Sequence, residues 1–213
     1  MNLDRPIRHV DLNPILMNTS TAWHGRIELK FNRLADNSLV AEGAAAPMPT
    51  GKLSERTILA HSYARAPLKV QRPFYPEPDL CQTVLLHSAG GMVGGDQLSY
   101  HIDLAPASRA LITTAAATKI YRSQGEISHQ QIEINIGANA CLEWLPQETI
   151  IFNQAKYQQD LRVNLAPGAT FCAWEIVRLG RSASQETFNQ GCWQNTLEVW
   201  QQDKPLWIDR QRL

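Results

Sequence analysis

The feature that most limits what this chain can fold into is a turn that returns at a fixed interval. Leu104-Ala105-Pro106-Ala107, Ile136-Gly137-Ala138 and Leu165-Ala166-Pro167-Gly168-Ala169 each close one alternating run and open another. Ala107, Ala138 and Ala169 stand 31 residues apart. Before the turns, Leu98, Tyr100, Ile102 and Leu104 share one face, as do Ile132, Ile134 and Ile136, and Leu161, Val163 and Leu165. A period of two is that of a half-buried strand. Leu197-Glu198-Val199-Trp200, Gln202-Asp203-Lys204 and Leu206-Trp207-Ile208 continue the series as strand, turn and strand. Repeated strand-and-turn units bury their apolar edges on one another. The expected fold is all-β with few helices, stacked as a β-solenoid or β-helix. A β-sandwich is the alternative, because its strands also recur at near-even spacing.

Residues 1–20 read as a loose lead-in and 21–213 as a single β-rich domain. Ile27, Leu29 and Phe31 alternate with Glu28 and Lys30 in a first strand, and residues 42–53, rich in Ala, Pro and Gly, read as a loop. Residues 54–64 stay open between a short helix capped by Ser54 and a strand through Thr57-Ile58-Leu59. The prolines at 73, 76 and 78 forbid helix across Arg72–Pro78. Residues 113–119 are alanine-rich, but Thr113, Thr114 and Thr118 weaken a helix there.

Net charge is +0, which removes the basic excess that a nucleic-acid surface needs. No apolar stretch approaches the roughly 20 residues that span a membrane, and the amino terminus lacks a signal-peptide core. A soluble cytoplasmic protein is expected, with no nucleic-acid or membrane partner. Cys81, Cys141, Cys172 and Cys192 form no Cys-x-x-Cys pair and read as small buried thiols. The scattered histidines build no His-Glu-x-x-His metal site.

One stretch escapes the repeat: His87-Ser88-Ala89-Gly90-Gly91-Met92-Val93-Gly94-Gly95-Asp96. An apolar run, Thr83–Leu86, precedes it and an alternating run follows, so it connects strand to strand. A phosphate cradle wants a helix after its glycines, whereas a plain turn needs only Gly90, Gly91, Gly94 and Gly95, with Asp96 accepting backbone amides. A nucleotide- or phosphate-binding enzyme using Gly90–Asp96 with Thr113, Thr114 and Lys119 is the alternative function. A plain β-solenoid module, binding carbohydrate through Trp193, Trp200 and Trp207, is a third.

Several motifs in fixed order carry a resemblance. They are Gln71-Arg72-Pro73-Phe74-Tyr75-Pro76-Glu77, His87-x-x-Gly90-Gly91-x-Val93-Gly94-Gly95-Asp96, Thr113 through Ser123, Glu143 through Phe152, Trp174-Glu175-Ile176 and Leu179-Gly180-Arg181. Together they make the chain similar to the urease accessory protein UreD (UreH) family. The resemblance implies a largely β fold and a non-catalytic role. Family members act as a scaffold and nickel conduit that binds apo-urease and the partners UreF and UreG, a GTPase, for nickel insertion. It implies no tightly bound cofactor and nickel only in transit. It also implies further carboxy-terminal segments that this chain does not carry.

Nickel is a borderline divalent cation that accepts imidazole, carboxylate and thiolate, and a transfer route should hold it weakly. The candidate route acids are Asp96, Glu143, Glu148, Glu175 and Asp209. Glu175 lies in the apolar run Phe171–Val177. A carboxylate there needs either an arginine, with Arg178 and Arg181 nearest in sequence, or a wet interior. His87 and His101 flank the glycine loop. Lys119, Tyr121 and Arg122, with Trp144, form the candidate partner-binding cluster, since Tyr and Arg are enriched at interface hot spots.

Overall fold

The computed structural model describes residues 22–34 and 56–213. The expected lead-in, the loop over 42–53 and the Ser54 cap lie outside the described residues. Within them every regular element is a strand, apart from a single 3-10 turn at Ser182–Ser184.

The chain winds through three sheets in about four turns. The first turn runs from β4 (Leu80–His87) through the glycine loop to β5 (Gln97–Leu104); β1 (His24–Leu34), β2 (Arg56–Arg65) and β3 (Leu68–Val70) precede it in sequence. The second holds β6 (Arg109–Thr114), β7 (Thr118–Ile120) and β8 (Ser128–Ile136). The third holds β9 (Cys141–Leu145), β10 (Thr149–Ile151) and β11 (Lys156–Leu165). The fourth holds β12 (Thr170–Ala173), β13 (Val177–Leu179) and β14 (Cys192–Gln201), and β15 (Lys204–Arg212) folds back on it. The sheets order as β15-β14-β11-β8-β5-β1-β2, as β12-β9-β6-β4-β3 and as β13-β10-β7. Successive turns pair in parallel, while β1 with β2, β3 with β4, and β14 with β15 pair antiparallel. This is the β-solenoid, and the sandwich alternative is set aside.

In-register parallel stacking turns the alternating runs into side-chain ladders. Leu29 pairs with Ile102, Ile102 with Ile134, and Ile134 with Val163. All four are 0% exposed. Burying an aliphatic side chain this completely contributes about 1.5–3 kcal/mol each, so the wall and the core are one construction. Two parallel ladders, Ile27-Tyr100-Ile132-Leu161 and Phe31-Leu104-Ile136-Leu165, flank it.

The repeat is less regular than the alanine spacing suggests. Leu104 pairs with Ile136, 32 residues on, and Ile136 with Leu165, 29 residues on. The left-handed position in the three turns is held by Ala107, Asn139 and Gly168, not by the alanine series. In the last turn Tyr157 pairs with Trp193, 36 residues on, because the excursion around Ser182–Ser184 is inserted. Thr57-Ile58-Leu59 resolves as strand, inside β2. Residues 113–119 end β6, turn a corner and begin β7, with no helix.

The cysteine expectation needs correction. All four are free thiols, but only Cys81 is buried; Cys141 and Cys192 are half-buried and Cys172 is exposed. Cys172 lies on β12, the edge strand of its sheet, with no further strand to cover it. Among the described residues no helix is long and apolar enough to cross a membrane.

Candidate functional site

The glycine loop is a corner of the first turn. It takes the place that β7, β10 and β13 fill in the later turns. Met92 bridges Ile120 in parallel; its N–H donates to the Lys119 carbonyl and its own carbonyl accepts the Tyr121 N–H, both at 2.8 Å. A Cβ on Gly91 would run into the Lys119 carbonyl and the Tyr121 ring, so only glycine lets the two backbones approach this closely. No helix follows the loop. Asp96, 2% exposed, closes it: its two carboxylate oxygens accept the Trp23 N–H at 2.8 Å and the Val93 N–H at 2.9 Å. The same residue therefore ties the loop to β1.

The interior is not uniformly apolar. One inner ladder runs from Gly25 and Leu98 through Gln130, Gln159 and Asn195. Tyr157 Oη donates to Gln159 Oε1 at 2.9 Å, and Gln130 Nε2 reaches the same oxygen at 3.5 Å. Gln159 Nε2 donates in turn to Glu175, and Asn195 Nδ2 donates to the other Glu175 oxygen at 2.8 Å. The result is a continuous hydrogen-bonded seam of three carboxamides, a phenol and one carboxylate. Neither arginine near Glu175 in sequence neutralises it: Arg181 pairs with Glu186. Burial pushes the Glu175 carboxyl above the ordinary carboxylate range; the Asn195 and Gln159 donors pull it back and the charge of Asp209 adds to the push. Burial also drives the Tyr100 and Tyr157 phenols well upward, so both remain protonated donors.

The seam lines a cavity between the long sheet and the two shorter ones, together with Tyr100, Thr114, Thr118, Trp144 and Trp193. Its solvent-accessible volume is about 40 Å³, where one water needs roughly 10–15 Å³. Asn195 Oδ1 is buried here without a partner. An unpaired buried acceptor costs about 1–3 kcal/mol, which water or a cation in the cavity would relieve. A second cavity of about 270 Å³ is lined by His87, Gly90, Tyr100, Thr114, Thr118 and Lys119, among others. The two share Tyr100, Thr114 and Thr118 as common wall.

The structure separates the sequence-derived candidates. Glu175 is the one acid of the five that lines the first cavity, and Asp209 on β15 acts on it electrostatically. Asp96 is committed to two backbone amides. Glu143 and Glu148 are half-buried and line neither cavity. Lys119, Tyr121 and Arg122 surround the glycine corner from the β7 side, with the Tyr121 ring edge-on to Phe152 at 5.1 Å. Trp144 does not join them at a surface: it is 3% exposed and lines the first cavity. Trp193 is also buried, and Trp200 lies beneath Arg162, so Trp207 alone of the three tryptophans is openly exposed.

Sequence reasoning missed Gln130, Gln159, Asn195 and Tyr157. The signal was present. Gln130 stands two residues before Ile132, and Gln159 two before Leu161, so each lies in phase with an inward-facing aliphatic residue.

Fold and cavity together define a β-solenoid scaffold whose later turns enclose a polar seam ending on a carboxylate without a cationic partner. Residues 43–213 match the family described as UreD urease accessory protein. The chain is 55% identical to the urease accessory protein UreD of Nostoc sp. (strain PCC 7120 / SAG 25.82 / UTEX 2576), over 90% of this chain and 62% of the relative. It is 54% identical to the UreD of Nostoc punctiforme over the same shares, and 43% identical to that of Synechocystis sp. over 95% of this chain and 68% of the relative. The chain belongs to the UreD family of urease accessory proteins. It spans about 62% of the length of the first of these relatives.

Proposed function

We propose that the chain serves urease maturation as a non-catalytic scaffold and passes nickel, as cargo, along its polar interior to apo-urease in concert with UreF and UreG. The observation that carries this reading is Glu175. Glu175 is half-buried, and a carboxylate withdrawn from water is ordinarily paired with a cation. Here it is held by two carboxamides, beside an unpaired carbonyl oxygen. Carboxylate and carbonyl oxygens completed by water bind a divalent cation without the closed ligand set that would trap it. Lys119, Tyr121 and Arg122 remain the proposed partner contact, at the outer side of the glycine corner.

The test is co-expression with the urease subunits and the other accessory proteins, reading nickel per urease active site. Glu175→Gln keeps the hydrogen-bonding shape and removes the charge, and it should lower nickel content while leaving the melting temperature within a few degrees. Full nickel loading by a folded Glu175→Gln protein would remove this carboxylate from any route. Arg122→Ala should weaken co-purification with the partners without lowering soluble yield.

A further inference from the structure

The excursion inserted in the fourth turn builds a polar pocket on the outside of the solenoid. Ile120, Ile151 and Leu179 pair in register across β7, β10 and β13, and two residues beyond them stand Arg122, Asn153 and Arg181. Gly180, at φ +80°, turns the chain off β13, and a Cβ there would strike the Glu186 carbonyl. The excursion therefore folds back tightly and brings Glu186 onto Arg181. With Tyr121 and Phe152, these side chains line an open pocket of about 390 Å³. Its donors are braced but only partly used. The Arg181 guanidinium lies over the Phe152 ring at 4.4 Å and spends its Nε–H on Glu186. Asn153 Oδ1 accepts the Asn189 and Gln190 amides, both at 3.0 Å, and its Nδ2 donates to none of the described residues. Arg122 is exposed and pairs with no acid among the described residues. Two arginines against the single carboxylate of Glu186 leave the pocket one positive charge in excess.

We propose that this pocket receives an aspartate or glutamate side chain from an acidic segment of a protein partner, held between Arg122, Arg181 and Asn153. This rests on the partner-contact reading above, which names Lys119, Tyr121 and Arg122 without the chemistry they take. Guanidinium forks match a carboxylate in shape as well as charge. The pocket already holds one carboxylate of its own: Glu186 accepts from Arg181 and from the Asn153 N–H at 3.2 Å. That hydrogen bond from Arg181 is the main cause that holds the Glu186 carboxyl below its ordinary range. One further carboxylate balances the remaining charge, whereas a polyphosphate would overshoot it. Lys119 and Arg178, exposed and in register on either side of Ile150, extend the basic strip for neighbouring acids of the same segment.

The experiment titrates the whole chain into a fluorescein-labelled, glutamate-rich peptide and into its glutamine counterpart, followed by anisotropy. The glutamate peptide should bind and the glutamine peptide should not, with affinity falling as salt rises. Arg122→Ala should weaken binding about three- to tenfold and Arg122→Lys less, since a lysine keeps the charge without the fork. Glu186→Gln removes the internal competitor for Arg181 and should tighten binding. No binding of the glutamate peptide, equal binding of the glutamine peptide, indifference to Arg122→Ala, or tighter Arg122-dependent binding of inorganic triphosphate would overturn the proposal. In the co-expressed assembly, Arg122→Glu should release a partner that an acid-to-lysine change in that partner restores. Glu175→Gln separates the two readings. Retention of every partner by Arg122→Glu, with nickel loading lowered by Glu175→Gln, sinks the docking pocket and upholds the route. Charge-dependent peptide binding with full loading by Glu175→Gln does the reverse.

Discussion

Asp96→Ala is the most informative single substitution, because Asp96 lies in the glycine motif and yet both its oxygens are spent on the frame. Its carboxylate accepts the Trp23 and Val93 amides at 2.8 and 2.9 Å, at 2% exposure. A hydrogen bond to a charged group contributes about 1.5–3 kcal/mol, so losing two costs about 3–6 kcal/mol. For a domain of this size, each kcal/mol moves the melting temperature by roughly 2–4 °C, so a drop on the order of 10–20 °C is expected. Asp96→Asn retains one acceptor oxygen and should lose about half as much, since its amide nitrogen cannot receive the second N–H. Thermal melts followed by circular dichroism, with nickel content of co-expressed urease measured well below the transition, give the two readouts together. Cooling should restore much of the nickel loading if Asp96 acts by holding the loop to β1. An Asp96→Ala protein that melts like wild type but fails to load nickel would refute this assignment and put the carboxylate on the cargo's path.

Ile134→Ala, in the middle of the fully buried ladder Leu29-Ile102-Ile134-Val163, should cost about 2–5 kcal/mol by denaturant unfolding; Val199→Ala, at the less buried end of the same ladder, should cost clearly less. For Glu175 the folded pKa is raised, so its protonated form contributes stability that is present at low pH and lost as pH rises through the carboxyl's raised value. Glu175→Gln should therefore flatten the decline in stability from the ordinary carboxylate range upward, and equal slopes for the two proteins in denaturant series across pH would count against a half-buried, cation-free carboxylate.

Much of the fold was legible because a parallel solenoid repeats its own grammar. Leu29, Ile102, Ile134 and Val163 each sit in an alternating run, and register stacks like phase on like phase. Individual turns were harder to place: Ala107, Asn139 and Gly168 share one backbone conformation but not one residue type, so matching alanines misplaced the later turns by one residue. The site was less legible for a different reason. Glu175 stood out because it interrupts an apolar run, but the residues that hold it come from β11 and β14, 16 and 20 positions away in opposite directions. Only the winding of the chain brings them together. Cys172 was misjudged in the same way, since being in an apolar run says nothing about whether a further strand covers it.

The inner ladder Leu98-Gln130-Gln159-Asn195 shows that the polar seam is not a by-product of the fold. On β1 and β5 the same column holds Gly25 and Leu98, so the position accepts an apolar side chain without altering the backbone. Three carboxamides there forgo the contribution of about 1.5–3 kcal/mol that each buried aliphatic would make. They also require donors and acceptors to be matched, and among the fully buried atoms of the seam Asn195 Oδ1 alone lacks a partner. A scaffold selected only for rigidity would gain by filling the column with leucine. The polar column is better explained by something that must be accommodated inside the later turns, and its open acceptor lies beside the carboxylate where a cation would be held.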